Sequence, residues 1–245
     1  MDILYVIKSE ILNEDLRYSL RALDQFVTGF DRVFVAGFKP LYVKGVSHVP
    51  TRQFKTKYQN VLNNILTAVK TTDISDDFVL MNDDFIALRP IDLSKDPLNY
   101  ASGTLADKVD EVAGMKPSRW REGFKVAAEL LPKISRYKKF YNFAVHTPYI
   151  INKHKLLEMM DKPEVKEVLD SGQTFLLRVV YGNLYRRTKI THIRDCKLRR
   201  DEDLSKERMD ADWLSVYDGV LGNGKYPKLL RYTKKILGKP CRFEL

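Results

Sequence analysis

Five consecutive apolar residues, Ile3-Leu4-Tyr5-Val6-Ile7, constrain this chain more than any other stretch. A run without polar alternation suits a strand covered on both faces, as in a parallel sheet, and Asp2 to Lys8 is read as that strand. Arg32 to Ala36 and Asp77 to Met81 read as further strands, with Ser47 to Val49 as a short one. Helical patterns lie between them. The first starts at Asn13, a capping residue, and has Glu14 and Asp15 in its first turn, where the helix dipole favours acids. Its apolar positions Leu16, Leu20, Leu23 and Val27 keep helical spacing, and Gly29 is expected to end it. The second covers Phe54 to Val69, with Tyr58, Val61, Leu62, Ile65, Leu66 and Ala68 on its apolar side. Alternating strands and helices predict an α/β fold with a mostly parallel, doubly wound central sheet flanked by helices. Ligands of such sheets sit beyond the carboxyl ends of the strands, where the chain order reverses.

The second half is less regular. Helices are predicted over Arg119 to Leu131 (stopped by Pro132), Asn152 to Met160, Pro163 to Leu169, Thr174 to Tyr185, Asp210 to Tyr217 and Tyr226 to Ile236. Phe140 to Val145 and Lys189 to Ile193 read as strands. With no internal repeat and no low-complexity linker, residues 1–245 are expected to form one domain with a helical, basic C-terminal lobe. The net charge of +10 is uneven: residues 1–120 carry 15 Lys and Arg against 16 Asp and Glu, and residues 121–245 carry 27 against 16. A basic half beside a neutral one suits a polyanionic partner for one half only, or a solvated basic surface. Two cysteines make no disulfide framework and show no metal spacing. No apolar run is long enough to span a bilayer, and the N-terminus is unlike a signal peptide, so the expected location is the cytoplasm.

The segment Phe78 to Ile86 sets two adjacent carboxylates, Asp83 and Asp84, between hydrophobic runs. Charge in such surroundings needs a cation, a hydrogen-bond network or water. One reading is a Mg²⁺ or Mn²⁺ site, the ion bridging a substrate diphosphate and neutralising the charge that builds on it. The other is a polar turn after a core strand, in which the acids cap backbone amides. Lys57, Asn60 and Asn64 share one face of the second helix, either as ligand contacts or as a solvated face.

Asn82-Asp83-Asp84 at a strand end resembles the acidic motif of the GT-A glycosyltransferases. Asn13-Glu14-Asp15-Leu16-Arg17-Tyr18-Ser19-Leu20-Arg21 and Tyr141-Asn142-Phe143-Ala144-Val145-His146-Thr147-Pro148 resemble stretches of Stealth-type capsular polysaccharide phosphotransferases and of related small phage-encoded transferases. The resemblance implies a GT-A-like fold, with a nucleotide-sugar donor (a UDP-sugar first) held by residues 1–120 and an acceptor held by the basic residues 121–245. Lys8 and Ser9 would border the nucleoside, Arg17 or Arg21 would reach a phosphate, and Lys57, Asn60 and Asn64 would hold the nucleotide. Asp83, Asp84 and His192 would bind Mn²⁺ or Mg²⁺, since these enzymes often take a third ligand, frequently histidine, from the C-terminal part. Asp195 and Lys197 would hold the diphosphate or the water on the metal.

An acceptor hydroxyl in an inverting reaction needs a base, and Asp107, Asp110, Glu111, Glu122 and Asp195 are candidates that spacing does not separate. His146, just before Pro148, is placed on the acceptor side; Asp84, Asp195 and His146 form the expected catalytic set. Basic stretches surround aromatic residues: Arg186, Arg187, Lys189, Arg194, Lys197, Arg199 and Arg200 in one, Lys133, Arg136, Lys138 and Lys139 with Tyr137, Phe140 and Tyr141 in a second, and Lys225 to Arg242 in a third. Such surfaces bind phosphate backbones and stack on bases. The leading expectation is therefore a sugar transferase acting on hydroxymethylated pyrimidines of double-stranded DNA. Its competitors are a transferase or phosphotransferase for a cell-surface polysaccharide and a non-enzymatic nucleic-acid-binding module.

Overall fold

The computed structural model describes residues 1–8, 12–185, 189–194, 196–198, 205, 209–216 and 227–245. In chain order the elements are β1 (Asp2–Ile7), α1 (Glu14–Phe26), β2 (Val27–Thr28), β3 (Val33–Gly37), β4 (Ser47–Val49), α2 (Lys57–Thr71), β5 (Asp77–Asn82), β6 (Phe85–Ala87), β7 (Ile91–Asp92), β8 (Tyr100–Ala101), α3 (Leu105–Ala113) and α4 (Arg119–Ile134). They continue with β9 (Tyr149–Asn152), α5 (Lys153–Asp161), α6 (Pro163–Asp170), α7 (Leu177–Tyr185), β10 (Thr191–His192), β11 (Trp213–Ser215) and α8 (Pro227–Ile236). The chain forms two compact units that interleave along the sequence instead of dividing at residue 120. The first comprises Met1–Leu98, His146–Ile150 and Cys196–Leu245, the second Asn99–Val145 and Ile151–Asp195.

The first unit is built on a sheet of order β4-β3-β1-β5-β9. β1 pairs in parallel with β3 (Ile3 opposite Val33) and with β5 (Val6 opposite Asn82), and all six of its residues are buried. The chain runs from β1 outward to β3 and β4, then returns to β5 on the other side of β1. The boundary between β1 and β5 is therefore the reversal point at which open α/β sheets bind ligands. The carboxyl ends of β1 and β3 are pinned by Asn64 of α2. Its Nδ2 donates to the carbonyls of Ile7 and Ala36, each at 3.2 Å, and its Oδ1 accepts from Thr51 Oγ1. Gly37 sits at φ +110°, with the Ile7 carbonyl oxygen 2.1 Å from where a Cβ would be, so no side chain fits there.

Several elements differ from expectation for local reasons. α1 stops at Phe26, not Gly29, because β-branched Val27 and Thr28 go extended and pair with β7. Gly29, at φ +81°, then turns the chain out of β2. Pro132 lies inside α4 without stopping it: three residues from the helix end, it removes a single donor. The run from Asp210 to Tyr217 holds a strand, β11, antiparallel to β6, with Trp213 and Leu214 buried. Short apolar runs do not distinguish helix from strand by periodicity.

The second unit gathers α3 to α7 and the parallel pair β8–β10. Phe140 to Val145 is not a strand there. Tyr141 instead exchanges its backbone bonds with the buried side chain of Asn183: its N–H donates to Asn183 Oδ1 at 2.8 Å, and its carbonyl accepts from Nδ2 at 2.9 Å. Gly123 of α4 lies against Leu176, whose Cγ would be 2.6 Å from an added Cβ, so the helix approaches that closely only with glycine.

The C-terminal segment is tied into the first unit by Glu244, which is 5% exposed. Arg21 of α1 donates to both its oxygens (Nε at 2.6 Å, Nη2 at 2.8 Å) and to the Leu237 carbonyl at 2.9 Å. Burial alone pushes the Glu244 carboxyl up. The forked bonds from Arg21, with the Cys241 amide, more than offset this and hold it below its ordinary value of 4.5. A lowered folded-state value makes the contribution complete above the unfolded value and lost as pH falls through the folded one. The stability advantage of the parent over Glu244→Gln is therefore expected to be constant above pH 5 or so and to shrink steadily below about pH 4.5 in thermal unfolding.

Candidate active site at the β1–β5 crevice

Asn82 ends β5, and Asp83 and Asp84 form the turn into β6, just beyond the reversal point. The two acids of the turn meet different partners. Half-buried Asp83 accepts from Asn13 Nδ2 at 2.6 Å through its Oδ2. Asn13 is 3% exposed and caps α1, its Oδ1 accepting from Leu16 N–H at 2.9 Å. Its carbonyl accepts from Arg17 N–H and from the Tyr42 hydroxyl. Asp84 is 6% exposed. Its Oδ2 accepts from the Ser215 hydroxyl of β11 and faces Lys197 Nζ at 3.3 Å, while its carbonyl accepts from Val216 N–H at 3.2 Å.

Asp84, the expected metal ligand and catalytic residue, is thus already engaged by two side chains. Its carboxylate is neutralised by an ammonium and a hydroxyl, and it locks β6 to β11. A divalent ion on the same oxygen would face the charge of Lys197. Among the described residues, no three His, Cys, Asp or Glu side chains gather where an ion would be held. His192 is exposed on β10, its ring 5.6 Å from that of Tyr141. The donor set as it stands does not fit a divalent ion shared by the two acids.

The remaining expected residues separate by surroundings. Lys8 is exposed at the end of β1, and Lys57 is exposed at the first position of α2. Asn60 accepts from the Phe54 backbone N–H and so orders the turn ahead of α2, and Asn64 is buried with both ends engaged between strands. Arg17 Nε lies 3.2 Å from Glu14 and 4.0 Å from Glu244, with its guanidinium 4.2 Å over the Tyr42 ring, and Arg21 is held by Glu244. The arginines therefore tie the helix to the C-terminal segment. Lys197 is the partner of Asp84. His146 is half-buried before β9, and His48 Nε2 lies 2.9 Å from the Gly37 carbonyl oxygen.

Of the candidate bases, Asp107 belongs to the capping box of α3, Glu111 pairs with Lys108 at 2.7 Å and Glu122 accepts from Thr174 at 3.2 Å. Asp110 is exposed on α3. Arg194, Lys138 and Lys139 are exposed in the second unit, Lys139 Nζ 5.5 Å from the Tyr141 ring centroid. Ser9, Arg186, Arg187, Asp195, Arg199 and Arg200 lie outside the described residues. Sequence reasoning missed the second role of Asn13 and the parts played by Tyr42 and Ser215. Only Asn13 left a signal, as the cap that follows the first strand.

Removing the ammonium beside Asp84 leaves a buried carboxylate without its counter-charge. Lys197→Met is expected to cost about 1–3 kcal/mol in denaturant unfolding. Asp84→Asn should cost less in the Lys197→Met background than alone, because the two changes remove one interaction.

No family model matches the sequence, and no curated protein does. Among solved structures, the galactosyltransferase LgtC in complex with donor and acceptor sugar analogs is similar in fold. Its TM-score is 0.54 at 12% identity, over 98% of this chain and 96% of that one. An active-site mutant of LgtC matches with a TM-score of 0.53 at 10% identity, over 97% and 95% of the two chains. Identity this low speaks to fold alone. With its mostly parallel sheet, its flanking helices and its acidic turn at the β1–β5 boundary, the chain has the GT-A fold of glycosyltransferases.

Proposed function

We propose that the protein is a glycosyltransferase that moves a sugar from a nucleotide-sugar donor, a UDP-sugar first, to an acceptor hydroxyl. The observation that carries this reading is Asp83, a carboxylate held by a buried amide at the crevice of a GT-A fold. In the reaction the bond between the anomeric carbon and the diphosphate oxygen breaks, and the nucleoside diphosphate leaves with the electron pair. A new bond forms from the acceptor oxygen, whose proton passes to a base. Asp83 suits a role as acceptor of donor hydroxyls, because an ionised carboxylate orients them without being consumed. Lys8 and Lys57, exposed at the end of β1 and at the N-terminus of α2, are the cations proposed for the diphosphate. The divalent ion implied by the resemblance enters no step here, since Asp84 is already neutralised by Lys197.

For the acceptor we favour a polyanion, with hydroxymethylated pyrimidines of DNA first. Exposed Lys138 and Lys139 beside Tyr137 and Tyr141, and the lysines and Arg231 of α8, are the described residues that support it. His146 and Asp195 are kept as candidates on the acceptor side. A saccharide acceptor is the second reading, favoured by the acceptor sugar analog bound to LgtC.

A panel of nucleotide sugars, with and without Mn²⁺, tests the donor by thermal shift, since a ligand of the folded state raises the melting temperature. One donor should stabilise the parent by several degrees, and Asp83→Ala should abolish that shift. Hydroxymethylated DNA incubated with that donor should then gain one sugar mass per modified base. Stabilisation by none of the panel sinks the transferase reading. A mass gain on oligosaccharides and none on DNA moves the acceptor to the second reading.

A further inference from the structure

We infer that Asn13 is a positioning residue of the donor site: it orients the Asp83 carboxylate across the β1–β5 crevice while it caps α1. The inference rests on the donor role proposed for Asp83.

The hydrogen-bond roles of the amide are fixed by its two partners. Leu16 N–H, at 2.9 Å, is a donor, so the atom facing it is the oxygen. The nitrogen is thereby turned to Asp83 Oδ2 at 2.6 Å, a short bond of the kind formed to ionised acceptors. Capping alone does not explain asparagine here, because serine, threonine and aspartate cap as well. Serine and threonine would have to serve both partners through one oxygen on a shorter side chain, and aspartate would set a carboxylate against a carboxylate. Asparagine accepts from the helix through one atom and donates to the acid through another, the two held apart in one rigid group.

The support behind the amide is also rigid. Asn13 is 3% exposed, its carbonyl takes the Tyr42 hydroxyl and the first bond of a 13-residue helix, and Tyr42 is in turn covered by the Arg17 guanidinium. Asp83 lies in a two-residue turn between β5 and β6. Because Val6 pairs with Asn82, the residues that follow these two strands meet at the closed end of the crevice. The Asn13–Asp83 bond therefore joins the two sides of the reversal point and sets the direction from which a hydroxyl approaches the acid.

The test compares Asn13→Ser, which keeps a capping oxygen and withdraws the amide nitrogen from Asp83, leaving only a shorter hydroxyl, with Asp83→Ala and the double variant. Asn13→Ser should lower the ligand-free melting temperature by no more than about 4 °C, the loss of one hydrogen bond. It should raise the dissociation constant and KM for the UDP-sugar about tenfold with a smaller change in kcat. Asp83→Ala and the double variant should lose the same affinity as each other. Parent-like affinity in Asn13→Ser, or losses that multiply in the double variant, overturns the inference. If the parent itself binds no nucleotide sugar, the functional reading fails separately. The unfolding cycle on ligand-free protein then decides the inference: non-additive effects at positions 13 and 83 support the orienting bond, and additive effects overturn it.

Discussion

The pairing of β1 on both its edges is the constraint on which the first unit depends. All six of its residues are buried, so each backbone group needs a partner within the sheet. β3 supplies one edge and β5 the other, in register from Ile3–Val33 and Asp2–Phe78 onward. Burying each of its large apolar side chains contributes about 1.5–3 kcal/mol, so the strand anchors the core as well as the sheet. Two neighbours reached from opposite directions along the chain force the order to reverse at β1. The crevice follows from that reversal and not from any special residue. On the β3 side Asn64 bonds to both strand ends and Gly37 lies against the Ile7 carbonyl. What is built at the β5 side is the turn of Asp83 and Asp84.

That turn divides two jobs between two chemically identical groups. Asp84 is 6% exposed and is answered by Lys197 and Ser215, so it behaves as the counter-charge of a structural joint. Half-buried Asp83 is answered by a neutral amide, which orients a carboxylate without cancelling its charge. The difference arises from the partners that each side of the turn meets: Asp84 meets β11 through Ser215, and Asp83 meets the cap of α1 through Asn13.

Much of this was legible in the sequence where the signals were local and strong. The unbroken run Ile3–Ile7, the Asn13 cap with Glu14 and Asp15 behind it, and the position of Asp83 and Asp84 at a strand end all lie where the periodicity and capping rules put them. The choice between the two acids was not legible, because it depends on Lys197 and Ser215, more than 110 positions away. The surroundings of α2 were hidden for a similar reason. Lys57, Asn60 and Asn64 share a side by spacing, but the spacing does not reveal that Asn64 faces two strand ends. Phe140 to Val145 has the composition of a strand, yet Asn183 takes the backbone bonds a neighbouring strand would have used.

Charge is the feature whose meaning the structure changes most. Along the sequence the excess of Lys and Arg falls wholly in residues 121–245, which suggests one basic half facing one acceptor. In three dimensions those residues belong to both units: Lys133, Arg136, Lys138, Lys139 and Arg194 to the second, and Lys197, α8 and Arg242 to the first. Part of the excess is also consumed internally, Lys197 by Asp84 and Arg242 by Asp24 at 3.0 Å. A positive charge already paired at 3 Å presents little field to a distant phosphate, whereas an exposed lysine beside an aromatic ring retains its full charge and a stacking surface. The case for an anionic acceptor therefore rests less on the net charge of +10 than on the few exposed lysines next to Tyr137 and Tyr141 and along α8. Salt dependence should follow those side chains and be nearly indifferent to Lys197 and Arg242, because only the former release bound counterions when a phosphate arrives.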